Sequence, residues 1–172
     1  YIVPSIILGV WMYTKRGKSA FATPNLALQL VRGALLLFST LSFWTALVHL
    51  PIVEAAAVGF IGPSMVVVMS AMVLREKPEP IHWVALFIGF VGVMIVLRPG
   101  FSYPGVGALA ALGSAVFYGG YQIITRKLAG SHDSINMLFY ANAVGAVLLT
   151  AVIPATMRAP QGWEWPGVFA LG

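Results

Sequence analysis

The fold of this chain is decided by residues 26–74, which read LALQLVRGALLLFSTLSFWTALVHLPIVEAAAVGFIGPSMVVVMSAMVL. Only two charged side chains, Arg32 and Glu54, interrupt this stretch. Because a helix rises 1.5 Å per residue, roughly 20 apolar residues cross the hydrocarbon core of a bilayer. Pro51 divides the stretch into two lengths that each suffice. The sequence therefore predicts two membrane helices joined by the very short turn at His49-Leu50-Pro51, as an antiparallel hairpin.

Apolar stretches of similar length occupy most of the remaining chain. In lipid the backbone must satisfy its own hydrogen bonds, so runs of this length are predicted to be helices. A membrane barrel would show ten-residue segments of alternating polarity instead, and this chain does not. We predict an all-α polytopic membrane protein. Its complete spans are expected at 26–50, 52–74, 81–97, 105–125 and 135–157, with partial spans at 1–13 and 163–172.

The composition excludes most soluble functions. Hydrophobic residues make up 59% of the chain and charged residues 9%, with a mean hydropathy of +0.90. A soluble domain carries about a quarter charged residues. The Lys and Arg residues are spread over several loops and form no patch, so nucleic acid is not expected as a partner. With no Cys there is no disulfide or thiolate metal site.

No catalytic or cofactor motif is present. Ser131, His132 and Asp133 are adjacent in one short loop, where they cannot adopt the geometry of a catalytic triad. Walker, Rossmann and HExxH patterns are absent from the sequence. We therefore predict that the protein is not an enzyme, and that it uses neither a metal nor an organic cofactor.

The basic residues predict how the chain is threaded through the membrane. Every second loop is basic, and short basic loops stay in the cytoplasm. Loops 14–24, 75–80 and 126–134 are therefore predicted to be cytoplasmic. They hold Lys15, Arg16, Lys18, Arg75, Lys77, Arg126 and Lys127, whereas the intervening loops hold only Arg98 and Arg158.

Small residues recur at helical spacing in most of the spans. Such pairs allow membrane helices to approach each other closely, so they predict a compact bundle. The pairs are Ala55 with Gly59, Ala85 with Gly89, Ala111 with Ala115, Ala115 with Gly119, and Ala141 with Gly145.

Two features point to a polar cavity. Gly62 and Pro63 lie near the middle of a span, where a disturbed helix can mark a transporter binding site or simply a packing kink. In the span 105–125, one face carries Ser114, Tyr118, Tyr121, Gln122 and Thr125. Hydroxyls, an amide and aromatic rings suit a polar organic solute, although Gln122 and Thr125 could instead reach the interface.

Arg32 lies about two turns inside its span. A charge at this depth is costly unless it is paired or its head reaches the interface. We expect the Arg32 side chain to extend toward the cytoplasmic interface. The carboxylates all lie near span ends or in loops, so a proton-coupling group is either missing from this stretch or is His49, Glu54 or a less obvious group.

An ordered set of motifs resembles the EamA domain of the drug/metabolite transporter superfamily. The set runs from Arg32-Gly33-Ala34, through Ala46 to Ala57, to Gly62-Pro63-Ser64. It continues with Leu74-Arg75-Glu76-Lys77, then Trp83 and Gly89-Phe90-Val91-Gly92-Val93, and ends at Leu97-Arg98-Pro99-Gly100. The resemblance covers about residues 1–100 and continues more loosely over 105–128.

The resemblance implies ten helices arranged as two inverted five-helix repeats, with both termini in the cytoplasm. On that plan residues 1–99 are most of the first repeat (helices 2–5) and 100–104 a periplasmic linker. Residues 105–172 then begin the second repeat (helices 6–8), so we expect the chain to be the middle of a longer protein. The resemblance further implies a central cavity between the repeats, near Trp44, Phe60, Pro63, Tyr118, Tyr121 and Gln122.

The function that follows is secondary-active transport of a small organic metabolite or drug-like solute by alternating access, in the bacterial inner membrane. The motifs look most like the bacterial group of general exporters and of S-adenosylmethionine or riboflavin importers. The partners implied are a small solute and the lipid bilayer, and a homodimer is left open. The alternatives are a membrane-embedded enzyme, of the acyltransferase or protease type, and a structural membrane protein.

Overall fold

The computed structural model describes residues 1–23, 25–59, 61–75, 79–97, 105–130 and 133–152. These residues form helices and contain no strand. The elements are α1 (Ile2–Arg16), a 3-10 helix (Gly17–Phe21), α2 (Leu26–His49), α3 (Ile52–Gly59), α4 (Ile61–Met69), a π-helical turn (Ser70–Leu74), α5 (Pro80–Leu97), α6 (Val106–Ala129) and α7 (Ser134–Val152).

The helices confirm an all-α membrane protein. Three of them are long and apolar enough to cross a membrane: Leu26–His49, Val106–Ala129 and Ser134–Ala151. Two shorter apolar helical stretches cover Ile61–Leu74 and Pro80–Gly92. The predicted partial span 163–172 and the last residues of the predicted span 135–157 lie outside the described residues.

Two of the predicted basic loops are shorter than expected, because the helices before them continue. Helix α1 extends to Arg16, and α6 extends through Arg126 and Lys127 to Ala129. Basic side chains in a last helical turn interact favourably with the negative end of the helix dipole, so they prolong these helices. At Gly17 the backbone takes φ 65°, which glycine adopts without strain, and α1 ends there.

The described residues divide into two compact units, with the division falling inside α2 after Ala34. Unit 1 holds α1, the 3-10 helix, the first part of α2, and α7. Helices α1 and α7 run antiparallel, since Tyr1 packs on Gly145 and Gly9 packs on Phe139. Gly33 brings α2 against α7, because a Cβ at this position would lie 2.6 Å from the Val144 Cβ.

Unit 2 holds the rest of α2 with α3, α4, α5 and α6. Its core consists of Ala46, Leu50, Ala55 and Ala111, which are all buried. The small face of α6 continues through Ala115 to Gly119, where a Cβ would lie 2.9 Å from the Sδ of Met69, the last residue of α4.

The small-residue pairs on α6 and α7 are buried, whereas those on α3 and α5 are less so. Ala111, Ala115 and Gly119 on α6, and Ala141 and Gly145 on α7, are buried. Ala55 is buried and Gly59 partly so. The pair Ala85 and Gly89 on α5 is instead exposed, and a Cβ on Gly89 would meet nothing within 4 Å.

Replacing Gly33 by alanine is expected to destabilise the protein. Alanine favours a helix interior by roughly 0.5–1 kcal/mol over glycine, but overpacking a close contact costs typically about 1–3 kcal/mol. The contact with Val144 is the larger effect, so Gly33→Ala should lower the thermal-unfolding midpoint of the full-length protein in detergent. Gly89→Ala is the matched control, and should leave the midpoint unchanged or raise it. Equal midpoints for the two variants would contradict the close α2–α7 approach.

Candidate functional site

The polar face of α6 begins inside unit 2. Ser114 is buried, and the Ser39 hydroxyl on α2 donates to the Ser114 carbonyl oxygen at 3.0 Å. The two hydroxyl oxygens are 3.3 Å apart. A hydroxyl that is satisfied by a neighbouring helix holds the helices in register, so Ser114 anchors α6 against α2 and supplies little free hydrogen-bonding capacity.

One helical turn further on, three predicted residues form a cluster. The Gln122 Nε2 donates to the Tyr118 hydroxyl oxygen at 3.0 Å. The ring centroids of Tyr118 and Tyr121 are 6.0 Å apart with the ring planes 36° from parallel, a tilted aromatic pair. The Tyr118 hydroxyl keeps its own proton for donation, and the Gln122 carbonyl oxygen is an acceptor. The cluster thus offers a donor, an acceptor and aromatic faces within about one turn of helix.

Gly62 of α4 lies directly against this cluster. A Cβ on the buried Gly62 would be 3.6 Å from the Tyr118 Cδ1, which is ordinary van der Waals contact. Pro63 is the next residue, and it is exposed. The structure therefore brings Tyr118, Tyr121 and Gln122 together on α6, with Gly62 of α4 facing Tyr118, whereas Pro63 points away from this contact toward the exposed side of α4.

Two other predicted residues are placed differently. Trp44 on α2 is 63% exposed, whereas the preceding residue Phe43 packs toward Gly59. Successive residues on a helix point about 100° apart, so Trp44 turns away from the α2–α3 contact. Phe60 lies outside the described residues.

The cluster ends at Gln122. The Thr125 hydroxyl donates to the Tyr121 carbonyl oxygen at 2.8 Å, one turn back on its own helix. Within the described part of the chain, no group of three or more His, Cys, Asp or Glu side chains could hold a metal ion. The chemistry of the cluster is that of hydrogen bonding and ring stacking.

The position predicted for the Arg32 side chain is wrong. Arg32 is 1% exposed, and its Nη2 donates to the Met137 carbonyl oxygen of α7 instead of reaching an interface. A carbonyl oxygen of a neighbouring helix is available because α2 and α7 approach closely at Gly33, one residue away. The carbonyl offsets part of the cost of burying the charge.

Sequence reasoning also missed two buried amides around Arg32. Gln29 is 0% exposed and lies one turn before Arg32, on the same face of α2. Asn136 on α7 donates from Nδ2 to the Ala20 carbonyl oxygen at 2.7 Å. The spacing of Gln29 and Arg32 was a usable signal, because two polar residues three apart share a helix face.

Comparison with curated proteins finds transporters. The chain is 27% identical to the pseudopaline exporter CntI of Pseudomonas aeruginosa, over 95% of this chain and 58% of that protein. It is 27% identical to the S-adenosylmethionine uptake transporter of Rickettsia felis, over 100% of this chain and 58% of that protein. It is also 27% identical to the riboflavin transporter of Brucella anthropi, over 99% of this chain and 66% of that protein.

Comparison with solved structures shows the fold. A crystal structure with 21% sequence identity superposes with a TM-score of 0.55, over 99% of this chain and 74% of that one. The chain spans 58% of the length of the exporter and of the Rickettsia felis protein. The family model described as the EamA-like transporter family matches residues 1–98, which is more than half of the chain. The chain is therefore a multi-pass membrane protein that belongs to the EamA-like transporter family.

Proposed function

We propose that the whole protein is a secondary-active transporter of a small polar organic solute that carries a flat ring. The observation that carries this proposal is the Tyr118–Gln122 hydrogen bond beside the Tyr121 ring. A planar heteroaromatic group stacks on tyrosine rings, and its polar edge pairs with a hydroxyl and an amide. The cluster on α6 is thus suited to a ring with hydrogen-bonding substituents.

The relatives support this solute class. They are named for pseudopaline, S-adenosylmethionine and riboflavin. Riboflavin and S-adenosylmethionine each combine a flat heteroaromatic ring with hydroxyl groups. Since one of these relatives is named as an exporter, one as an uptake transporter and one without a direction, the direction of transport is not part of the proposal.

The architecture proposed for the whole protein is that of ten helices in two inverted repeats. Residues 1–99 are most of the first repeat, 100–104 the periplasmic linker, and 105–172 the start of the second repeat. Pro63, Tyr118, Tyr121 and Gln122 would line a central cavity, together with Trp44 and Phe60. Rocking of one repeat against the other would expose this cavity to each side of the bacterial inner membrane in turn.

Transport is favoured over the membrane-enzyme and structural alternatives. The named relatives are transporters or exporters, and the matched family is a transporter family. An enzyme would need oriented catalytic side chains at one depth, whereas the α6 cluster consists of tyrosines and an amide.

Loss of the Tyr118 hydroxyl is expected to weaken solute binding. Tyr118→Phe removes the acceptor of the Gln122 hydrogen bond together with one donor, and a net hydrogen bond is worth about 0.5–1.5 kcal/mol. The KM for uptake should therefore rise by about 2- to 10-fold. Uptake would be measured in proteoliposomes of the full-length protein, with a panel of labelled metabolites that begins with riboflavin and S-adenosylmethionine.

Loss of the Tyr121 ring should have an effect of similar size. Tyr121→Ala removes one aromatic face, and such pairs contribute about 0.5–1.5 kcal/mol beyond burial, so KM should rise by roughly 2- to 10-fold. The matched control is Tyr13→Ala, which truncates a 57% exposed tyrosine on α1. Parental KM values for both Tyr118→Phe and Tyr121→Ala would refute the α6 cluster as the solute site.

The proposed threading predicts which positions can be labelled from outside the cell. The printed sequence has no Cys, so single cysteines can be introduced into a full-length protein cleared of any others. His49→Cys should react with a membrane-impermeant maleimide in intact cells, whereas Lys18→Cys should react only after permeabilisation. The reverse pattern would overturn the assignment of loop 14–24 to the cytoplasm.

A further inference from the structure

Four polar contacts join the beginning of unit 1 to the start of α7. Arg16 forms an ion pair with Asp133, and the Arg32 guanidinium donates to the Met137 carbonyl oxygen. The Asn136 Nδ2 donates to the Ala20 carbonyl oxygen at 2.7 Å, and the Tyr140 hydroxyl to the Phe21 carbonyl oxygen at 2.7 Å. We call this set the basic-end contacts, because Lys15, Arg16 and Lys18 lie beside it.

The basic-end contacts are confined to one end of the α1–α7 pair. Toward the other end the two helices meet through apolar groups, with Gly9 on Phe139 and Gly145 on the Tyr1 ring. Polar contacts can be exchanged for contacts with water at little net cost, whereas separated apolar surfaces cannot. The end that carries Arg16 and Asp133 holds one apolar contact, between the Phe21 and Phe139 rings, and is otherwise joined by polar groups, so it is the end of unit 1 at which water enters at lower cost.

Buried amide atoms beside these contacts favour such entry. Gln29 is 0% exposed, and within the described residues neither its side-chain nitrogen nor its oxygen has a hydrogen-bond partner. The Asn136 side-chain oxygen is likewise buried without a partner in the described part of the chain. A buried polar atom without a partner costs free energy that hydration would recover. Opening this end would break the basic-end contacts but hydrate Gln29 and Asn136, so hydration offsets part of the free energy that opening costs.

The contacts also join segments that belong to different repeats in the architecture proposed above. Arg16, Ala20, Phe21 and Arg32 fall within residues 1–99, whereas the start of α7 falls within 105–172. Contacts between repeats at a single end are what a repeat-rocking transporter must break in order to open that end.

We propose that the basic-end contacts form a gate, which is closed in this structure and opens to water at Gln29; this inference rests on the proposed transport function. The 3-10 helix Gly17–Phe21 is the moving segment of the gate, because its carbonyl oxygens at Ala20 and Phe21 accept hydrogen bonds from side chains of α7 and its Phe21 ring packs edge-on against Phe139. The Arg16–Asp133 ion pair closes the solvent-facing side of the gate, because both side chains are partly exposed.

The test measures the access of water to position 29 and requires no solute. Gln29→Cys is introduced into the full-length protein in nanodiscs, cleared of other cysteines, and its rate of modification by a cationic methanethiosulfonate reagent is followed. The cysteine of Gln29→Cys should be modified slowly compared with the cysteine of Lys18→Cys. Adding Tyr140→Phe removes the hydrogen bond to Phe21 but keeps the ring, and should raise the rate by about 3- to 10-fold.

Two controls separate the gate from general loosening of the fold. Tyr13→Phe removes the hydroxyl of an exposed tyrosine on α1, and Lys15→Ala removes a charge next to Arg16; neither should change the rate. Asp133→Ala should raise the rate by up to about fivefold, as expected for an exposed ion pair. The charge-reversed pair Arg16→Asp with Asp133→Arg should return the rate toward that of the parent.

Rates that stay within about twofold of the parent in both Tyr140→Phe and Asp133→Ala would overturn the gate. Fast modification of Gln29→Cys in the parent protein would do the same. If Tyr140→Phe fails to fold, the Asp133 and charge-reversal variants decide the question. If the gate variants do not change the rate of Gln29→Cys modification and the full-length protein transports solute, the gate alone is refuted. If the variants change this rate but the full-length protein transports no solute, the proposed function is refuted.

Discussion

The structure depends on one constraint, which is that a backbone crossing a membrane must form its hydrogen bonds within its own segment. The long apolar stretches therefore become helices, and the backbone contributes little to holding them together. Lipid tails are as apolar as leucine, so burial of apolar side chains does not drive the helices together either. The helices are therefore held together by close packing of small residues and by hydrogen bonds between helices, and this chain has both.

Close packing sets where the polar contacts form. Gly33 lets α2 approach α7, and the neighbouring Arg32 then reaches the Met137 carbonyl oxygen. In unit 2 the small face of α6 plays the corresponding part, and Ser39 reaches Ser114 across the contact between α2 and α6. Because Gly33 has no side chain, the helices come close enough for the neighbouring Arg32 to form its hydrogen bond.

The two units use their polar residues differently. In unit 2, Gln122 and Tyr118 satisfy each other on one helix and still have capacity for a further partner, which suits the recognition of a solute. In unit 1, Gln29 has no partner among the described residues, while its neighbours hold together segments distant in the chain. A satisfied pair favours a preformed surface, whereas unsatisfied buried amides favour a region that exists in two states.

Hydropathy along the sequence by itself determined the membrane class and the positions of most helices, because a span needs a minimum length of apolar residues whatever surrounds it. Helical period also placed Tyr118, Tyr121 and Gln122 on one face of α6. The burial of Arg32 and the pairing of Asn136 with Ala20 were decided only by the tertiary structure. The physical reason is that period assigns a residue to a face of its helix, whereas its partner depends on how closely neighbouring helices approach and how each is rotated about its axis.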